Sequence, residues 1–271
     1  MWGKVVGVFF GFMFGRWFGA VLGLYVGHLF DRRVRQNFGE KGGFSRFFTA
    51  ASDRQAIFFH ATFSTMGHIA KSNGRVSEVH IQAANMIMDH MKLKSHQKKE
   101  AQEAFREGKL AGFDFESTLK EFSRSVFGRR EILQMFLEIQ IQAAYSDGVL
   151  SAGEKALLHS AAKTLGFKSS EMDAIFKRWE AEFRFHQQRQ QQGGAGRNAP
   201  PTESALKDAY RVLGVSPESS SQEVKKAYKK QMTQHHPDKL VSKGLPPEMM
   251  EMAKRKAQDI QAAYDLVRVR G

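Results

Sequence analysis

The chain contains no cysteine. Disulfides, thiolate metal sites and cysteine nucleophiles are therefore excluded, which is compatible with a reducing compartment. There is no glycine-rich phosphate loop and no nucleophile–base pair, so the residues point away from an enzyme and no cofactor is expected. Acidic residues are in deficit: 41 Lys and Arg stand against 28 Asp and Glu, a formal charge of +13. The excess is uneven. Residues 1–50 hold seven basic and two acidic side chains, residues 51–205 hold 21 and 18, and residues 206–271 hold 13 and 8. Charge of this kind attracts anionic surfaces without specificity. With no basic–aromatic RNA motif and no zinc-ligand set, nucleic acid is not the expected partner.

Charge is also missing from residues 5–30, where Arg16 is the one ionised side chain. As a helix rising about 1.5 Å per residue, this segment spans roughly 39 Å, enough for a hydrocarbon core of about 30 Å with some tilt. It is too long and lacks the cleavage site of a signal peptide, so a membrane anchor is expected. Lys4 lies on one flank, and Arg32, Arg33, Arg35, Lys41 and Arg46 lie on the other. The positive-inside bias then places residues 1–4 outside and the bulk in the cytoplasm. Arg16 needs a partner or must snorkel. Gly3, Gly7, Gly11, Gly15, Gly19, Gly23 and Gly27 recur every fourth residue. Such a stripe lets two helix backbones approach closely, and self-association through it is expected. A basic juxtamembrane segment, residues 31–54, follows.

Residues 55–185 contain a repeat. Ile69-Ala70-Lys71-Ser72-Asn73-Gly74-Arg75-Val76-Ser77 returns 74 residues later as Ala143-Ala144-Tyr145-Ser146-Asp147-Gly148-Val149-Leu150-Ser151. Gly74 and Gly148 suit a left-handed helix stop, while Ser77 and Ser151 suit N-caps, with Glu154 completing a capping box. Apolar stripes at helical spacing follow each motif, so the expected unit is a helical hairpin, present twice and packed face to face. This segment resembles the TerB-like helical domain. Asp147, Glu154, Glu78 and Glu138 suggest a cation site, but a calcium loop needs alternate carboxylates and a closing Glu that are absent. In the first repeat Asn73 and His80 replace Asp147 and Glu154. Turn and cap are the favoured roles, no metal is expected, and a binding or self-association role is the expectation for the domain.

Gln187–Thr202, with five Gln, three Gly and Pro200-Pro201, has almost no apolar content. It reads as a flexible linker over 186–204 that lets the next domain reach a partner. Beyond it, Val224, Ala227, Tyr228, Gln231 and Met232 fall on one helical face, and Lys225, Lys226, Lys229 and Lys230 on the other. Pro237 cannot continue that helix, so His236-Pro237-Asp238 is expected to open a loop at the end of a cationic face. With Asp208–Val215 before it and Ile260–Val267 after it, residues 205–271 resemble the J domain of DnaJ-type co-chaperones. Two departures stand out: a long stretch Leu240–Pro247 containing Pro246-Pro247, and Ala257 where relatives usually carry an aromatic.

The whole chain, read as all-α, resembles bacterial membrane-anchored J-domain co-chaperones. The resemblance implies an inner-membrane protein facing the cytoplasm that engages a DnaK-type ATPase chaperone and stimulates its ATP hydrolysis. It implies that His236, Pro237 and Asp238, with Lys225, Lys226, Lys229 and Lys230, meet that partner. Two other classes compete: a membrane-tethered scaffold or signalling adaptor acting through the TerB-like domain, and a basic nucleic-acid-binding protein.

Overall fold

A computed structural model describes residues 50–72, 74–192 and 202–268, all within one compact unit. The expected membrane span, its glycine stripe, Arg16, most of the basic segment and the centre of the linker lie outside the described residues. Among the described residues there are helices and no strand, and no helix is long and apolar enough to cross a membrane.

The first hairpin is α1 (Ala50–Ala70) and α2 (Glu78–His90). Next come α3 (Ser95–Gly108) and α4 (Phe115–Ser125). The second hairpin, α5 (Arg130–Ala144) and α6 (Ala152–Thr164), leads to the long α7 (Ser169–Gln192). The two hairpins are matched in detail. Gly74 and Gly148 stop the chain at φ +83° and +84°. Ser77 and Ser151 cap α2 and α6 at their N-termini. Helices α1 and α2 both pack on α5, as the repeat predicts. The core formed by Phe58, Phe63, Phe122, Phe136, Ile69, Leu137 and their neighbours is fully buried. Where α1 crosses α3, Gly67 lies against the Phe105 carbonyl and Gly108 against the Ser64 carbonyl, too close for any side-chain carbon. Those two glycines set the crossing.

The linker expectation changes here. Residues 187–192 are the last turns of α7, since Gln and Arg are good helix formers whatever their polarity. Helix α7 is also shared. Its N-terminal half places Met172, Ile175, Phe176 and Trp179 in the core just described. Its C-terminal half places Ala181 and Phe185 in a second core with Ala209, Val212, Leu213, Val224, Ile260, Ala263 and Val267. That second core belongs to α8 (Glu203–Leu213), α9 (Ser221–His235) and α11 (Met250–Arg268). A short helix, α10 (Pro237–Ser242), joins α9 to the segment leading into α11.

Candidate functional site

Helix α9 begins at a capping box, Ser220 with Glu223, and buries Val224, Gln231 and His235 on its inner face. Lys225, Lys226, Lys229 and Lys230 are exposed on the opposite side. On the inner side Tyr228 stacks on Tyr264 of α11, ring centroids 4.2 Å apart, so the cationic face is backed by a rigid pair. His236 ends α9 in an extended conformation, φ −63° and ψ 128°, as a residue before proline must. Pro237 then starts α10 instead of an open loop, because a proline at the first helical position forfeits no hydrogen bond. The His236 ring accepts a hydrogen bond at Nδ1 from the Asp238 amide, 3.3 Å away, and so caps α10. The two side chains remain open to solvent, His236 at 43% and Asp238 at 85%, with their polar atoms 3.9 Å apart. Apart from Pro237, which is buried, the expected partner-facing residues therefore share one exposed corner: the end of the lysine helix and the start of the next.

What holds that corner is the first seven-helix body. Leu240, Leu245, Met249 and Ala253 are buried in the same core as α1–α7. The long stretch Leu240–Pro247, which departs from the J-domain pattern, is thus a docking segment. Lys243 pairs with Glu131 at 2.8 Å, and the Arg129 guanidinium donates to the Lys243 carbonyl. Farther along, Arg184 grips Asp208 through Nε and Nη2 at 2.9–3.3 Å. Arg189 pairs with Asp259 at 3.0 Å.

Behind the corner sits a buried charge cluster. The Lys256 ammonium, 10% exposed, contacts Glu138 at 2.9 Å and Glu182 at 2.7 Å. Burial alone would raise Glu138, but the Lys256 and His235 fields and hydrogen bonds from Gln134 and Lys256 outweigh it, holding this carboxyl down at about 2. Burial pushes Glu182 up, and the Glu138 charge adds to that while Lys256 opposes it. One ammonium between two carboxylates can hold only one of them firmly ionised. Burial would lower Lys256, and the two carboxylates more than reverse it. His235, buried beside His236, has no hydrogen-bond partner on either ring nitrogen among the described residues. Burial and then Lys256 push its imidazole down to about 3, so the ring is neutral.

Two of the four carboxylates that suggested a cation site, Glu154 and Glu138, are occupied otherwise. Glu154 Oε2 accepts from the Ser151 amide and hydroxyl, and Oε1 meets His80 Nε2 at 2.9 Å. His80 and Glu154 are equivalent positions of the repeat, so the two hairpins are joined across their own relationship. Glu138 belongs to Lys256. Among the described residues no group of three or more His, Asp or Glu could hold a metal.

Comparison with known proteins orders these pieces. The family described as the tellurite resistance protein TerB matches residues 59–177, and the DnaJ domain matches 208–268. The co-chaperone DjlA transmembrane domain matches residues 1–46. The chain is 52% identical over 272 residues to the co-chaperone protein DjlA of Photobacterium profundum, covering 99% of this chain and 98% of that one. It is 52% identical over 267 residues to that of Shewanella oneidensis, and 43% over 272 residues to that of Escherichia coli O157:H7; each comparison covers at least 97% of both chains. The chain belongs to the DjlA family of co-chaperones. No solved structure matches it.

In this DjlA-family chain the transmembrane match makes the protein membrane-anchored, and the matches fall in the expected order of anchor, TerB and J domain. Sequence reasoning missed the Lys256–Glu138–Glu182 cluster and the docking of the J domain on the TerB body. A signal for the cluster was present. Ala253, Lys256, Ile260, Ala263 and Val267 form one stripe at helical spacing, so a lysine stands where an apolar residue belongs. A charge in that place requires a buried counter-charge. Glu138 stands in the same way on the apolar α5.

Proposed function

We propose that this protein recruits a DnaK-type ATPase chaperone to the membrane and stimulates its ATP hydrolysis without catalysing a reaction itself. The observation that carries this reading is the exposed corner: His236 and Asp238 project into solvent at the end of the Lys225–Lys230 face while His235, Pro237 and Leu240 beside them are buried. A side chain kept accessible on a rigid support suits a contact made by another molecule. The lysines steer an acidic partner toward the corner, and His236 and Asp238, held in position by the buried Pro237, make contacts that favour its hydrolysing state.

The remaining parts of the reading concern placement. The anchor lies in a bacterial inner membrane with residues 1–4 periplasmic and the rest cytoplasmic, by the basic excess after residue 31. The seven glycines from Gly3 to Gly27 pair two copies of the anchor. The test is the single-turnover ATPase rate of a DnaK-type chaperone with the full-length protein in nanodiscs, wild type against His236→Gln. Stimulation is expected from the wild type and to be largely absent with the variant, whose helicity and melting stay the same. Equal stimulation by both proteins overturns the assignment.

A further inference from the structure

We propose that the surface meeting the ATPase chaperone continues from the J domain onto the TerB-like domain, with Phe127 as a second anchor beside His236 and Asp238. The inference rests on the co-chaperone reading above. Phe127 is 69% exposed and belongs to neither hydrophobic core. It follows α4, where the Phe127 amide bonds the Arg124 carbonyl at 3.0 Å and the Gly128 amide bonds the Ser123 carbonyl at 2.8 Å. This helix stop needs a left-handed residue and usually takes glycine, but Phe127 holds it at φ +55°. A large apolar ring is thus kept largely in water on a disfavoured backbone, with the Arg129 guanidinium over its face and no place in either core. Non-glycine residues held in the left-handed region cluster at functional sites.

Its position identifies the occupant. The Arg129 guanidinium lies 5.4 Å over the Phe127 ring. The same guanidinium donates to the Lys243 carbonyl and lies 3.2 Å from where a side-chain carbon on Gly244 would stand. Lys243 directly follows α10, the helix that begins at Pro237. Val241 on that helix is another exposed apolar side chain. Asp238 and Val241 lie about one turn apart on α10, and Arg129 links the residue that follows α10 to the Phe127 ring, so the four form one strip. A partner footprint of about 800 Å², roughly 28 Å across, is wider than the six residues of α10, about 9 Å long. A chaperone seated on His236 and Asp238 with a footprint of that width reaches this strip. The strip carries one carboxylate, Asp238, one guanidinium, Arg129, and the apolar Val241 and Phe127, which fits a chaperone surface of mixed polarity with an apolar notch for the aromatic ring.

The experiment titrates full-length protein in nanodiscs against a DnaK-type chaperone and reads single-turnover ATP hydrolysis. Phe127→Gly relaxes the left-handed backbone, so folding is not at risk, and thermal melting confirms it. The half-stimulating concentration should rise five- to tenfold with the maximal rate retained, and Val241→Ser should shift it less. The control is Leu110→Ser. Leu110 is 63% exposed and precedes α4, whose 11 residues span about 16 Å and which ends just before Phe127, and its replacement should change nothing. Unchanged potency of Phe127→Gly, beside a His236→Gln protein that no longer stimulates, overturns the second anchor and leaves the co-chaperone reading standing. Equal losses in Phe127→Gly and Leu110→Ser overturn it too. If His236→Gln stimulates normally, it is the co-chaperone reading that fails.

Discussion

Replacing Lys256 by Met should loosen the grip of the TerB-like body on the J domain, and most strongly at alkaline pH. The side chain is of similar length and apolar, so packing changes little. What remains is Glu138 and Glu182, both buried, with no ammonium between them. Breaking a buried ion pair from one side costs about 3–5 kcal/mol, because the surviving charge is left uncompensated. For a unit of this size, about 1 kcal/mol moves the melting point by roughly 2–4 °C, so a drop of around 10 °C is expected at pH 8. The pH dependence separates charge from packing. Without Lys256 both carboxyls take up protons more readily, so the deficit should shrink as pH falls toward 5. Adding Glu138→Gln and Glu182→Gln should restore much of the lost stability, since no buried charge then remains. Thermal melting of the three proteins at pH 8 and pH 5 decides the matter. A Lys256→Met deficit that is absent, or equally large at both pH values and unrelieved by the two glutamines, would refute the argument.

In the wild type, acid should weaken the interface. His235 is held neutral down to about pH 3 in the fold but takes a proton below about 6.5 when unfolded, so its contribution is complete above that value and lost as pH falls between the two. Glu138 acts in the same direction between its ordinary 4.5 and about 2, while Glu182, pushed upward, opposes it; unfolding free energies from pH 7 to pH 4 should therefore decline, and a flat profile would contradict this balance. Reversing Lys226 and Lys230 to Glu should slow association with the chaperone, and salt should mimic the effect in the wild type, since exposed charges are screened over about 10 Å at 0.1 M; stopped-flow association rates at low salt test it. Gly67→Val should destabilise the protein by roughly 2 kcal/mol or more, because its side chain meets the Phe105 backbone and no flexible group can yield; urea denaturation measures it. Replacing Gly11, Gly15 and Gly19 by Leu should preserve insertion and reduce self-association in a membrane reporter, whereas Leu at Phe10, Phe14 and Phe18 should change little.

Local chemistry made much of this legible. The paired Gly74 and Gly148 stops, the Ser77 and Ser151 caps and the lysine face of α9 are decided by neighbours within one or two turns, and a sequence displays those neighbours directly. His236-Pro237-Asp238 was visible for the same reason, although Pro237 starts a helix that its stiffness had suggested it would prevent. The docking was hidden because it depends on pairs far apart, Lys256 with Glu138 and Lys243 with Glu131, whose meeting no spacing rule announces. The end of α7 was hidden differently. Gln187–Gln192 has the polarity of a linker, but polarity alone does not distinguish a solvated helix from a solvated coil, and Phe185 with Ala181 anchors the turns that precede it.

Helix α7, serving two cores at once, also bears on how deletion experiments should be interpreted. Removing everything after residue 186 looks like a clean way to obtain a protein without its J domain. It would in fact uncover Phe185 and Ala181 and leave Glu138 and Glu182 facing water without Lys256, along with the seat of Leu240, Leu245 and Met249. A sticky, negatively charged face would replace a closed one. Any altered behaviour of such a truncated protein would then mix the loss of chaperone contact with the gain of an abnormal surface. A point change at His236, which leaves the seat filled, separates the two.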